Sequence, residues 1–181
     1  MMPDGTDRNR SAWAYAAFFC LTAFVFFLFS CQSSRTEVAE GLKAPSLEIL
    51  DAMTGQKVDM GKYKGRVMFV NFWATWCAPC REEVPSIEAL HRDFSSDSRF
   101  AMITILFRDD SRSAYDYMKA GGYSFPVYAD QEGATAKQYK VTGVPETYLV
   151  DKKGVLRKRV IGPLDWNASD ARAFIKTLLT E

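Results

Sequence analysis

Two cysteines, Cys77 and Cys80, stand two residues apart in VNFWATWCAPCREEVP, directly behind an apolar run. A C-x-x-C pair is compatible with a structural disulfide, half of a zinc site or a redox-active dithiol. Cysteine counting narrows the choice. The chain carries four Cys, at positions 20, 31, 77 and 80, and the first two fall in the N-terminal leader. A single remaining pair is no disulfide scaffold for a domain of this size. Tetrahedral zinc needs two more ligands, and the rest of the chain offers no further Cys and only His91, so no metal is expected. A purely structural bridge over so few residues removes little chain entropy. The dithiol reading remains.

The surroundings of the pair support it. RVMFVNFW (66–73) is almost continuously apolar and β-branched or aromatic, as a strand buried on both faces should be. Behind the cysteines, Pro79 fits the first turn of a helix, and Val84, Ile87, Leu90 and Phe94 recur at helical spacing to about Asp97, with a kink expected at Pro85. A strand leading into C-x-x-C at a helix start places the first thiol where unpaired amides and the helix dipole stabilise a thiolate. Cys77 is then the exposed nucleophile, and Cys80, further in and more buried, resolves the mixed disulfide.

The other elements follow from pattern. Leu47, Ile49 and Val58 around Thr54-Gly55 predict an N-terminal β-hairpin, and Gly61–Gly65 a turn. FAMITILF (100–107) is a second buried strand, SRSAYDYMKAGG (111–122) a helix closed by glycines, FPVYAD (125–130) a short strand and EGATAKQYKV a short helix. ETYLVDKKGVLRKRVI (146–161) reads as an antiparallel hairpin, and the segment from Asn167 or Ser169 to Thr180 as a covering helix. The order predicts an α/β fold with a mixed central sheet flanked by helices.

The N-terminus speaks to location. Ser11 to Ser30 is a run of twenty uncharged, Phe-rich residues preceded by Arg8 and Arg10. That is the length a helix needs to span a bilayer, longer than the usual apolar region of a signal peptide. The positive flank places the domain outside. LFSC (28–31) also resembles a lipobox, which makes Cys31 a lipidation candidate; Cys20 sits inside the run as a small hydrophobe. Residues 1–31 are therefore a signal, lipoprotein or anchor segment, 32–43 a linker, and 44–181 the folded domain at the extracytoplasmic face of a bacterial membrane. The net charge of +1, without a basic block, gives no reason to expect nucleic acid.

Taken together, VNFW, W-C-A-P-C and the later G-V-P-E-T resemble the thioredoxin superfamily, and within it the membrane-tethered ResA, TlpA and DsbE/CcmG branch. The anchor, the extra segment between the motifs and the order FPVYAD, GVPETYLVDKKG, GPL carry the likeness to the branch. The resemblance covers about residues 44–181 and implies a thioredoxin-like fold with a central insertion. It implies Cys77 as attacking and Cys80 as resolving thiol, with Trp76 and Pro79 framing them and no cofactor beyond the dithiol. Val144-Pro145 matches the cis-proline position that faces the dithiol and leaves backbone free for an extended client. Asn71 stands where thioredoxins carry a titrating Asp, and Glu83, three residues after Cys80, is the replacement proton exchanger. Glu146 is a second acidic candidate, while Phe72 and Trp73 belong to the core. The implied activity is reduction of client disulfides, with apocytochrome c as client and a DsbD- or CcdA-type membrane donor; a general extracytoplasmic reductase is the close alternative. A thiol peroxidase lacks its upstream Pro before Thr75, and a Sco-like copper carrier needs C-x-x-x-C, so both recede.

Overall fold

The computed structural model describes residues 37–181. The apolar run, Cys20, the lipobox and Cys31 lie outside the described residues.

Six strands form one mixed sheet in the order β1-β4-β3-β2-β5-β6, with β1 Leu50–Asp51, β2 Val67–Trp73, β3 Phe100–Leu106, β4 Val127–Ala129, β5 Glu146–Val150 and β6 Leu156–Ile161. The β2, β3 and β4 strands run parallel; β1, β5 and β6 join antiparallel to their neighbours. Among the described residues four α-helices accompany them: α1 Ala78–Phe94, α2 Ser111–Gly121, α3 Ala134–Gln138 and α4 Ser169–Thr180. This is the thioredoxin-like α/β architecture, with β2 at its centre feeding directly into α1.

The faces of the sheet sort by strand alternation. Val67, Phe69 and Trp73 of β2 join Val84, Ile87 and Leu90 of α1, Ala114 of α2 and Ile175 of α4 in one core. Val70 and Phe72 meet Leu47, Ile49, Tyr139 and Tyr148 in a second core on the opposite face. Asn71 falls between Phe69 and Trp73, so this one polar residue of β2 points under α1 and is fully buried.

Four details refine the sequence reading. The expected N-terminal hairpin is reduced to a tight Asp51–Gln56 turn with a single bridge from Leu50 to Lys57, and β1 pairs with β4 along its other edge. The turn at 61–65 is a 3₁₀ turn over Met60–Tyr63. Helix α1 stops at Phe94 and runs through Pro85 without interruption. Glycine closes α2 as expected: Gly122 takes φ +65°, a left-handed conformation costly for side chains, and the Tyr123 amide returns to the Met118 carbonyl.

The stretch read as linker is partly ordered. The Gly41 amide donates to the Leu156 carbonyl and the Leu156 amide to the Leu42 carbonyl, both at 2.8 Å, and Glu40 Oε1 accepts the Arg159 amide at 3.0 Å. An edge strand needs partners for its outward backbone groups, and Glu40–Lys43 supplies them to β6. The folded domain therefore begins before Ala44.

Candidate active site

Cys77 and Cys80 are joined as a disulfide where β2 hands over to α1. Cys77 is the N-cap of α1, and its sulfur accepts from the Cys80 amide at 3.2 Å. Pro79, at the second helical position, has no amide to offer, so Cys80 provides the N–H facing the sulfur. An amide plus the positive end of a 17-residue helix favours negative charge on Cys77 once the disulfide is opened. Cys80 is fully buried, and Cys77 is 5 % exposed. The expectation of an exposed Cys77 is thus corrected. In the oxidised protein both sulfurs are enclosed, Cys77 being the shallower, while Ala78 and Pro79 form the exposed cover.

Opposite the dithiol, the Val144-Pro145 peptide bond is cis. The Val144 carbonyl oxygen lies 3.5 Å from the Cys77 sulfur, and Thr142 and Gly143 before it are exposed. The segment ahead of Pro145 therefore sits beside the reactive sulfur with its outer side open.

Trp76 is 56 % exposed on the other flank, and its indole N–H donates to the Arg108 carbonyl at 3.2 Å. Arg108 holds a left-handed φ of +50° to present that carbonyl. Thr75 donates to Asp109 Oδ2 through both its amide, at 2.6 Å, and its hydroxyl, at 2.7 Å. These bonds tie the loop carrying the cysteines to the β3–α2 connection. Sequence reasoning missed Arg108 and Asp109, whose only signal was a charged RDD between a strand and a helix.

Glu83 is 4 % exposed and turned under α1. Its Oε1 accepts from Asn71 Nδ2 at 2.8 Å, and its Oε2 from the Leu164 amide at 3.1 Å. Burial pushes its carboxyl up from the ordinary range to about 7, against the opposing pull of the Leu164 amide and the Asn71 side-chain amide. A carboxyl poised near neutrality on the helix that carries Cys80 is suited to exchanging protons with a thiol. Asn71 also donates to Thr147 Oγ1 at 2.9 Å. Leu164 and Thr147 were not foreseen; they reach Glu83 and Asn71 only through tertiary contact.

Glu146 does not join this group. It follows Pro145 directly, but strand alternation turns it to the opposite face of the sheet from Thr147. There its Oε1 accepts from the Tyr148 hydroxyl at 2.6 Å and from Arg159 Nε at 2.5 Å. Its carboxylate is thus engaged in an ion pair with Arg159, on the side of the sheet away from α1.

The chain matches the Redoxin family model over residues 39–175. It is 32 % identical over 136 residues to the thioredoxin-like protein YneN of Bacillus subtilis, covering 72 % of this chain and 78 % of that protein. It is 30 % identical over 158 residues to the thiol-disulfide oxidoreductase ResA of Bacillus cereus, covering 86 % and 90 %. Among solved structures, a thiol:disulfide interchange protein of the thioredoxin family from Chlorobium tepidum superposes with a TM-score of 0.67 at 26 % identity, over 78 % of this chain and 98 % of that one. StoA from Bacillus subtilis gives 0.60 at 25 % identity, over 77 % and 99 %.

Proposed function

The chain belongs to the Redoxin family and is a thiol–disulfide oxidoreductase, and from this premise we propose that it reduces client disulfides at the extracytoplasmic face of a bacterial membrane. The observation that carries the direction of attack is the Cys77 sulfur: helix-capped on one side and 3.5 Å from the Val144 carbonyl on the other.

In the reduced protein the Cys77 thiolate attacks one sulfur of the client disulfide. A Cys77–client bond forms, and the client's other sulfur leaves as a thiolate. Cys80 then transfers its proton to Glu83 and attacks the Cys77 sulfur. The Cys77–Cys80 bond forms, the mixed disulfide breaks and the second client thiol is released. Two electrons have passed to the client, and the oxidised dithiol awaits a reductant. Trp76 and the segment ending at Pro145 flank the sulfur and hold the client chain during the exchange, with Pro79 covering the pair.

The tether is the uncharged run from Ser11 to Ser30, closed either by lipidation at Cys31 or by retention as a membrane helix. The compartment holds no reducing buffer, so electrons come from a membrane protein presenting a dithiol, of the DsbD or CcdA type. The client we propose is apocytochrome c, whose C-x-x-C-H cysteines must be reduced before haem is attached. Its test is reduction, by the full-length reduced chain, of a disulfide-bonded C-x-x-C-H peptide against oxidised glutathione. The peptide should be reduced faster, and with a lower KM. Equal rates on both would leave a general reductase and remove the cytochrome c role.

A further inference from the structure

Three buried side-chain polar atoms among the described residues finish without a hydrogen-bond partner: Asn71 Oδ1, Trp73 Nε1 and Trp166 Nε1. One of these belongs to a residue that holds Glu83: Asn71 donates to one carboxyl oxygen, and the Leu164 amide holds the other. Native interiors leave few polar atoms unpaired, so a spare acceptor beside a buried carboxyl calls for a physical reason.

The chemistry of the carboxyl supplies one. An ionised Glu only accepts, whereas a protonated one must also donate. As the site stands, each oxygen of Glu83 meets a donor: Asn71 Nδ2 at 2.8 Å and the Leu164 amide at 3.1 Å. This arrangement fits the carboxylate. A proton on Oε1 would face the Asn71 N–H group head on. The Leu164 amide cannot change its role, because a backbone N–H only donates. The Asn71 side chain can. Half a turn of its amide exchanges Nδ2 for Oδ1, the atom now unpaired, and presents an acceptor to Glu83. Its second partner tolerates the exchange. The Thr147 hydroxyl accepts from Nδ2 at 2.9 Å, and a hydroxyl can equally donate to Oδ1.

We propose that the Asn71 amide turns with the proton on Glu83, the Thr147 hydroxyl reversing with it. Asn71 and Thr147 are then positioning residues for the resolving step. When Cys80 gives up its proton, the S–H bond breaks and an O–H bond forms on Glu83. The amide turn supplies that O–H with an acceptor, and the reverse turn prepares the carboxylate for the next cycle. No electrons move in this step. The groups meeting the Glu83 carboxyl are Asn71 of β2 and the Leu164 amide of the loop after β6, with Thr147 of β5 behind Asn71, all uncharged. The charged residues sharing the 450 Å³ groove beside it are Glu82 on its own helix and Asp165 on the loop.

This inference rests on Glu83 as the proton acceptor for Cys80, yet it is tested without turnover. In the full-length oxidised chain, the Glu83 carboxyl ¹³C signal, assigned by its loss in Glu83→Gln, is followed across neutral pH together with the Asn71 side-chain ¹⁵N–¹H pair. The Asn71 signals should move with the Glu83 midpoint and stay fixed in Glu83→Gln. Asn71 signals that stay flat through the Glu83 titration would overturn the switch. The underlying reading is tested separately, by turnover of Glu83→Gln.

Discussion

Cys77→Ser should reduce client disulfides no faster than the chemical reductant present alone. The reason is positional. The Cys77 sulfur is the N-cap atom of α1 and the one beside the Val144 carbonyl, whereas Cys80 is fully buried behind it. A serine hydroxyl can still cap the helix, so the fold should survive while the reaction stops. The same insulin- or peptide-disulfide assay run on Cys80→Ala should show one stoichiometric attack and no second turnover. If Cys77→Ser made the single stoichiometric attack and Cys80→Ala made none, the assignment of attacking and resolving thiols would be reversed.

Glu83→Gln should change both stability and rate, each with its own pH dependence. The folded carboxyl titrates near 7 because burial disfavours its charge, above the ordinary carboxyl value of 4.5. Between those two pH values the unfolded chain releases a proton that the folded chain still holds. Stability is therefore fully present below the unfolded value and is lost as pH rises through 7. Gln imitates the neutral acid and escapes this loss. Relative to the wild-type chain, Glu83→Gln should gain about 3 kcal/mol at pH 8 compared with pH 4, measured by urea unfolding of the oxidised protein. Parallel stability curves at both pH values would contradict the raised carboxyl.

The kinetic effect has the opposite sense. Without a proton acceptor, the resolving step should slow on the order of 10²-fold at neutral pH. The deficit should shrink as pH rises and hydroxide takes over as the proton acceptor. A deficit independent of pH would point to a packing defect rather than a lost acceptor.

Much of this site was legible in the chain. Two cysteines outside the leader, a strand before them and an i, i+3, i+6, i+10 apolar row after them define the dithiol and its helix. Glu83 could be placed on the inner part of α1 because helical spacing carries it there. Pro145 needed the family likeness, since no local pattern tells which proline faces a distant cysteine. Glu146 shows the limit of adjacency. It neighbours Pro145 in the chain, but ETYLV is buried along its whole length, so no polar alternation reveals its face. Only pairing with β2 and β6, opposite Phe72 and Ile161, assigns it to the Arg159 side. Leu164 and Asp109 were illegible for a different reason. They sit in connections whose paths are fixed by packing, and they reach Glu83 and Thr75 across tens of residues. The pairing of Glu40–Lys43 with β6 was hidden likewise, because a polar stretch looks the same whether it is tether or edge partner.

The central claim is that Cys77 forms a covalent bond with a client, which Cys80 then resolves. Its most direct measurement uses the full-length chain with Cys80→Ala, expressed in bacterial cells and quenched with acid and alkylating agent. Mixed disulfides are then separated without reductant and mapped by mass spectrometry. The account predicts adducts that collapse on reduction, bonded through Cys77 and absent from Cys77→Ser. A Cys80→Ala chain that carries no adduct, while the wild-type chain still reduces the same client disulfides, would contradict it.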